Sequence, residues 1–280
     1  MKVADIIAGL DAWFPPGWAA DWDRVGLVLG HPERAVRRVH LTVDVTPETV
    51  AEALASRAEL IVAHHPLLLR GVSSVAPTTH KGRIVHQLIE AGVALYVAHT
   101  NADVANPGVS DALASRLGLT ELRPLRPALG AATGEGRGYG RIGVLPSAMS
   151  LDELVSYAAA ALPATAWGVR AAGPESGKLT TIAVCGGAGD EFLADAAAAG
   201  VDAYLTADLR HHPASEHLAD GGPALLDAAH WATERPWLDT VAGRITAEYG
   251  VETVVSDLNT DPWRSRASSD DVPDKEDRHP

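Results

Sequence analysis

The chain has 280 residues, 46% of them hydrophobic, which is enough to bury a substantial core as one large domain or two modest ones. Its formal net charge of −13 makes it a poor general binder of a nucleic-acid phosphate backbone, although a local basic patch is not ruled out. A single cysteine, Cys185, excludes an intramolecular disulfide, and no run reaches the roughly 18 apolar residues of a membrane span, so a cytoplasmic protein without a membrane partner is expected.

The N-terminal stretch MKVADIIAGLDAWFPP is interrupted by Asp5 and Asp11 and lacks a signal-peptide apolar region. Residues 39–45, VHLTVDV, are rich in β-branched side chains and predict a strand. Thr46 followed by Pro47 reads as an N-cap with proline in the first turn, opening a helix over 47–57. A strand over 60–63, a helix over 82–91 ending at Gly92 and a strand over 93–98 follow. This βαβαβ order implies a mostly parallel sheet covered by helices.

The second half repeats the theme. It predicts strands over 179–184, 201–206, 224–228 and 251–255, and helices over 191–199, 214–219 and 236–249, the last stopped by Gly250. Residues 129–143, LGAATGEGRGYGRIG, read as the junction. The expected fold class is α/β, with a first half over 1–126, a second over 127–263 and a tail over 264–280. From Ser268 the tail holds five acids and two bases, has little to bury and is expected to be disordered. AGVALY at 91–96 is echoed by AGVDAY at 199–204, and His64-His65-Pro66 by His211-His212-Pro213. These echoes fit either an internal duplication or chance.

Polar residues cluster where strands stop, at the edge where open parallel sheets bind ligands. Asp44 ends the first strand, His64 and His65 follow the second, and His99 and Asp103 follow the third in HTNAD. Asp208 follows YLTA, and His230 follows LLDAA with Glu234 four residues on. Adjacent residues of an extended chain point to opposite sides, so His64 and His65 suit two ions of a pair better than one. Ions about 3.5–4 Å apart are a standard hydrolytic arrangement. His230 and Glu234 share a face if helical, although Pro236 favours a helix start near Thr233. A glutamate has two oxygens and could bridge both ions.

Each element alone has a bland reading: a loop or cap for His64-His65, a hydrogen-bonded turn for HTNAD, a solvated helix face for His230 and Glu234. Together, each just past a strand, they favour metal. His211 and His212 read as structural or outer-shell. The glycines Gly186, Gly187 and Gly189 either hold a phosphate through backbone N–H groups or simply turn the chain from strand to helix. No P-loop, serine elbow or cysteine-based zinc motif is present.

AHHP, HTNAD, GYGRIG, CGGAG and DAAHWATE together resemble, in order, the signature segments of the family called GTP cyclohydrolase 1 type 2, or NIF-three-like (NGG-one-interacting-factor-three-like) proteins. DRVGLVLG matches as well, except that Arg24 stands where that family usually has Asn. The resemblance runs to about Trp263. It implies two similar, intertwined three-layer α/β/α halves with mostly parallel sheets, assembled as a toroidal homohexamer. It also implies two divalent metal ions per subunit (zinc, iron or manganese), held by His64, His65, Asp103, His230 and Glu234, with Glu234 bridging. His99 would be an inner-site residue not committed to metal. Two functions stay open: a hydrolase acting on a nucleotide or related small molecule, and a non-catalytic metal-binding assembly or adaptor. Longer relatives insert an extra domain between the halves, for which the 124–180 region is too short.

Overall fold

A computed structural model describes residues 1–132, 134–174 and 177–267. The disorder expected from Ser268 onward falls outside the described residues. Helix α1 (Val3–Trp13) buries Val3, Ile6, Leu10 and Trp13 as one stripe. Then come β1 (Gly26–Leu29), β2 (Arg38–Thr42), α2 (Pro47–Ala55), β3 (Leu60–Ala63), α3 (His80–Ala91) and β4 (Ala94–Val97). The short α4 (Thr100–Asp103) and α5 (Val109–Arg116) lead to β5 (Thr120–Pro127), β6 (Gly138–Met149), α6 (Leu151–Ala161) and β7 (Val169–Ala172). The chain continues through β8 (Leu179–Ala188), α7 (Leu193–Ala199), β9 (Ala203–Ala207), α8 (His211–Ala219), β10 (Ala224–Ala228), α9 (His230–Tyr249) and β11 (Glu252–Val255).

Local signals set several of these boundaries. The Thr46 hydroxyl accepts the Thr49 N–H at 3.3 Å and opens α2. Gly92 and Gly200 close α3 and α7 in the left-handed conformation, which glycine adopts without steric cost. That shared cap explains the AGV echo. It joins β3 to β4 in one case and β8 to β9 in the other, so the repeated letters record one turn device in two different connections.

The first sheet has the order β1-β4-β3-β2-β11, parallel from β4 to β11, with β1 antiparallel at its edge. The second has the order β5-β6-β8-β9-β10-β7, with β8, β9 and β10 parallel and antiparallel strands flanking them. The halves are interlaced: β11, late in the chain, completes the first sheet, while β5, from 120–127, edges the second. Strand β6 takes up much of the expected 129–143 junction.

Helices α2 and α3 pack on one face of the first sheet around Ile61, Ile84, Leu88 and Leu95. Helices α7 and α8 pack on the outer face of the second around Ala196, Leu218 and Tyr204. Between the sheets one core is shared. Leu41 and Val62 from the first sheet and Val184 and Leu205 from the second meet Trp237, Leu238 and Val241 of α9. Each sheet thus has helices on both faces, and the middle helical layer serves both. This common layer brings the carboxyl ends of the two parallel strand sets together.

Candidate metal centre

His64 and His65 leave β3 as predicted, but they do not point to opposite sides. The chain has left extended geometry at this point, and the ring centroids lie 5.0 Å apart with both Nε2 atoms turned towards Glu234. His64 is fully buried, and its Nδ1 donates to the Ala98 carbonyl at 2.9 Å, so Nε2 faces inward. His65 Nδ1 is held by Asp44 Oδ1 at 2.7 Å. His230 Nδ1 is held by Asp208 Oδ2 at 2.7 Å, and His99 Nδ1 by Asp23 Oδ1 at 2.9 Å. In all four rings one nitrogen is anchored, which fixes ring orientation and directs the other nitrogen to the centre. Metal-ligating histidines are characteristically held this way.

Helix α9 begins at His230, not near Thr233 or Pro236 as the sequence predicts, and Pro236 lies inside it. The first turn is secured from within, where the Thr233 hydroxyl donates to the His230 carbonyl at 2.7 Å and accepts the Gly187 N–H at 2.8 Å. His230 and Glu234 are therefore helical neighbours, with His230 Nε2 3.0 Å from Glu234 Oε1. Glu234 Oε1 is also 3.4 Å from His64 Nε2, and Oε2 is 3.0 Å from His65 Nε2. One carboxylate thus spans three imidazoles.

Two overlapping groups have ligand atoms all within 4.8 Å of one another: His64, His65 and His99, and His65, His230 and Glu234. Asp103 stands outside both groups, 3.6 Å from His64 Nε2, while His99 stands inside one. Among the described residues, His64 Nε2 and Glu234 Oε2 are buried without an assigned hydrogen bond, and Oε2 has the His65 Nε2 at 3.0 Å as its ionic neighbour. Buried polar atoms are normally satisfied. Two inward-facing orphans among imidazole nitrogens and a carboxylate fit a divalent cation of the zinc, iron or manganese type.

The electrostatics agree. Burial disfavours charge on His65, but Glu234 and Asp44 outweigh it and hold the imidazole up to about 10. Burial likewise opposes charge on His230, where Glu234 and Asp208 raise it to about 11. Burial opposes ionisation of Glu234, and His230, His65 and His64 nevertheless hold it well below the usual carboxylate range. Asp103 is pushed up, chiefly by burial.

The glycines answer their open question in part. Gly186 and Gly187 lie within β8, not in a strand-to-helix turn. Their N–H groups already donate to Ser110 Oγ at 3.3 Å and to Thr233 Oγ1 at 2.8 Å. The Gly189 N–H faces the Ala207 carbonyl at 3.5 Å. These donors are engaged and do not form a phosphate cradle. Gly187 instead makes room: a Cβ there would fall 2.4 Å from Glu234 Oε1 and 3.0 Å from His230 Nε2. His211 and His212 are exposed at the start of α8. The carboxylate behind His230 is Asp208, so neither is an outer-shell residue.

Asp23 is the residue that sequence reasoning passed over. It is 5% exposed and accepts from His99 Nδ1 and from the Thr100 N–H, the latter at 3.0 Å. Burial alone would raise its carboxyl, but His99 and Thr100 drive it far below the ordinary range. It sits in a loop before β1, where no strand end marks it. Its neighbour Trp22 stands edge-on to His99 with centroids 5.8 Å apart. A cleft of about 510 Å³ opens over the centre, lined by Trp22, His99, Asp103, Tyr139, Gly187 and Glu234 among others.

The chain matches the model of the Duf34/NIF3 (NGG1p interacting factor 3) family over residues 1–262. It belongs to that family. A Streptomyces coelicolor relative named GTP cyclohydrolase 1 type 2 homolog is 49% identical over 273 residues, covering 96% of this chain and 95% of its own. A Mycobacterium tuberculosis relative of the same name is 37% identical over 368 aligned positions, covering 94% of this chain and 97% of its own, so it carries residues that this 280-residue chain lacks. Among solved structures, a Bacillus cereus protein related to NIF3 matches in fold with a TM-score of 0.86 at 24% identity, over 94% of this chain and 98% of its own. A Staphylococcus aureus hypothetical protein matches with a TM-score of 0.85 at 26% identity, over 95% and 99%. No helix among the described residues is long and apolar enough to cross a membrane.

Proposed function

We propose that this family member is a dinuclear metal-dependent hydrolase acting on a nucleotide-like small molecule. The observation that carries the reading is the convergence of three anchored imidazoles, His64, His65 and His230, on the buried carboxylate of Glu234, with a fourth anchored ring, His99, beside His64 and His65. His65, His230 and Glu234 would hold one ion, and His64 and Asp103 the second, with Glu234 shared. Bound divalent ions supply Lewis acidity and bring the pKa of water from about 15.7 to near 7. The relatives' names, GTP cyclohydrolase 1 type 2 homolog, favour a purine nucleotide as the first substrate to try.

The remaining work falls to the chain's own side chains. Asp23 fixes the His99 ring through Nδ1 and leaves Nε2 free to take or give a proton at the cleft. The cleft volume of about 510 Å³ lies within the range of small-molecule sites. A toroidal homohexamer belongs to the same reading, supported by family membership. Light scattering then gives a mass about six times the 29.3 kDa chain, and a monomer at micromolar concentration refutes it.

The test is GTP ring opening and phosphoester hydrolysis assayed with zinc, iron and manganese. Wild type turns over; Glu234→Ala is inactive and His99→Ala is slowed about 10²–10⁴-fold, as for loss of a general acid–base. Equal trace rates in wild type and Glu234→Ala assign the centre to a non-catalytic metal-binding assembly instead. A fully active His99→Ala leaves the metal role intact and removes the proton-transfer role.

A further inference from the structure

A second cleft, of about 440 Å³, lies on the opposite side of His65 and His230 from the first. Its walls include Asp44 and Asp208, the carboxylates that anchor those two rings, together with Trp167, Arg170, Asp227, Thr260, Asp261 and Trp263. On one wall a cation is already stacked and paired. The Arg170 guanidinium carbon lies 4.5 Å from the Trp167 ring centroid, and the guanidinium binds Asp227 Oδ2 through Nε at 2.8 Å and through a terminal nitrogen at 2.7 Å.

Beside this unit the same two components recur without a cation. Trp263 is 60% exposed, and its ring lies 6.1 Å from that of Trp167. Asp261 is only 3% exposed. Its Oδ1 accepts the Trp263 N–H at 3.1 Å, but its Oδ2 is buried with no hydrogen-bond partner among the described residues. A buried carboxylate oxygen without a donor is costly, and a charge without a counter-charge more so. We infer that this cleft binds a planar guanidinium-type cation, stacked on Trp263 and paired with Asp261.

Charge selects this class of guest. Of the four carboxylates that line the cleft, Asp44, Asp208 and Asp227 already face His65, His230 and Arg170, which leaves Asp261 in excess, with no counter-charge among the described residues. That balance disfavours a phosphate and favours a positive ligand. Shape selects further: a guanidinium is flat, stacks on indole and offers in-plane N–H donors to a carboxylate, whereas an ammonium is a compact point charge. The inference goes beyond the metal reading and does not rest on it.

The experiment is calorimetric titration of the full-length protein with N-methylguanidine, methylammonium and guanosine. Guanosine carries adjacent in-plane N–H donors without the charge. Saturable binding of N-methylguanidine is expected, with methylammonium weaker by about tenfold or more and guanosine not bound. Trp263→Ala, at an exposed position, and Asp261→Asn each weaken it by about tenfold or more. Metal content of Trp263→Ala, read by elemental analysis, stays at the wild-type level, so failure of the metal centre and failure of this site are told apart. No binding, equal binding of methylammonium, binding of guanosine in place of the cation, or affinity unchanged in both variants overturns the assignment.

Discussion

His65 and His230 face each other Nε2 to Nε2 at 3.3 Å, although 165 residues separate them in the chain. One follows a strand of the first sheet and the other opens the helix after a strand of the second. Each ring is locked from behind, by Asp44 and Asp208. Glu234 and the anchoring carboxylates hold both imidazoles well above their ordinary range, so the centre draws positive charge to these two facing nitrogens. A shared cation resolves that arrangement.

The spanning position of Glu234 predicts the largest loss of metal on a single change. In the proposed two-ion arrangement Glu234→Ala removes the carboxylate that faces His64, His65 and His230 together, whereas His64→Ala removes a single imidazole. Elemental analysis of purified protein should find Glu234→Ala largely metal-free and His64→Ala partly loaded. Full occupancy in Glu234→Ala excludes the bridging role.

Much of this candidate centre was legible in the sequence because its polar side chains follow strand ends, where a buried apolar run stops at a polar residue. His64, His65, His99, Asp103, His230 and Glu234 all carry that mark. Asp23 carries none, since it reaches His99 from a loop 76 residues away. Pro236 misplaced the start of α9 because local propensity favours proline in a first turn, while the Thr233 contacts hold the extra turns in place. Strands β5, β6 and β7 were missed for another reason. β5 and β7 are partly exposed edge strands without a clean alternation, and β6 is rich in glycine at its start. The parallel strands β3, β4, β9 and β10 are buried throughout and read as apolar runs.

Asp208 anchors the His230 ring from a backbone with φ of 58°, in the left-handed region. Asn tolerates that conformation nearly as well as Asp but cannot supply the carboxylate charge. Asp208→Asn is therefore expected to keep the wild-type melting temperature and to lose about 10–100-fold in metal affinity. Chelator competition reads the affinity. An unchanged constant shows that the anchor is dispensable.

Asp202 links the start of β8 to β9. Its Oδ2 accepts the Thr180 and Thr181 N–H groups, each at 2.8 Å, and both hydroxyls. Partial burial opposes the charge, but these donors hold the carboxyl below its ordinary value. A depressed folded-state value means that the unfolded chain binds the proton first as pH falls. The stabilisation is therefore complete above about pH 4, the unfolded value, and is lost as pH falls through the folded value. Asp202→Asn should cost about 1 kcal/mol at pH 7. Urea midpoints of the two proteins should converge below about pH 4. A gap that persists unchanged into acid shows that the carboxylate charge is not its source.

Arg141 gives the GYGRIG segment its structural meaning. It is 1% exposed, and it grips Asp111 with two parallel bonds of 2.7 and 2.6 Å. Its remaining donors reach the carbonyls of Gly138, Gly140 and Ala105. Asp111 also accepts the Gly108 N–H at 2.7 Å, so this one pair ties the start of α5 to β6. Removing one partner of a buried pair strands the other, at a cost of about 3–5 kcal/mol. Arg141→Ala should lower the urea midpoint accordingly, and Arg141→Lys should fall between, since an ammonium keeps the charge but loses the two-pronged geometry. α5 also carries Ser110, whose hydroxyl holds the Gly186 N–H beside the metal centre. Metal content in Arg141→Ala should therefore fall only as the fold loosens, in step with the loss of stability. A variant within about 1 kcal/mol of wild type shows that the pair does not hold the two elements together.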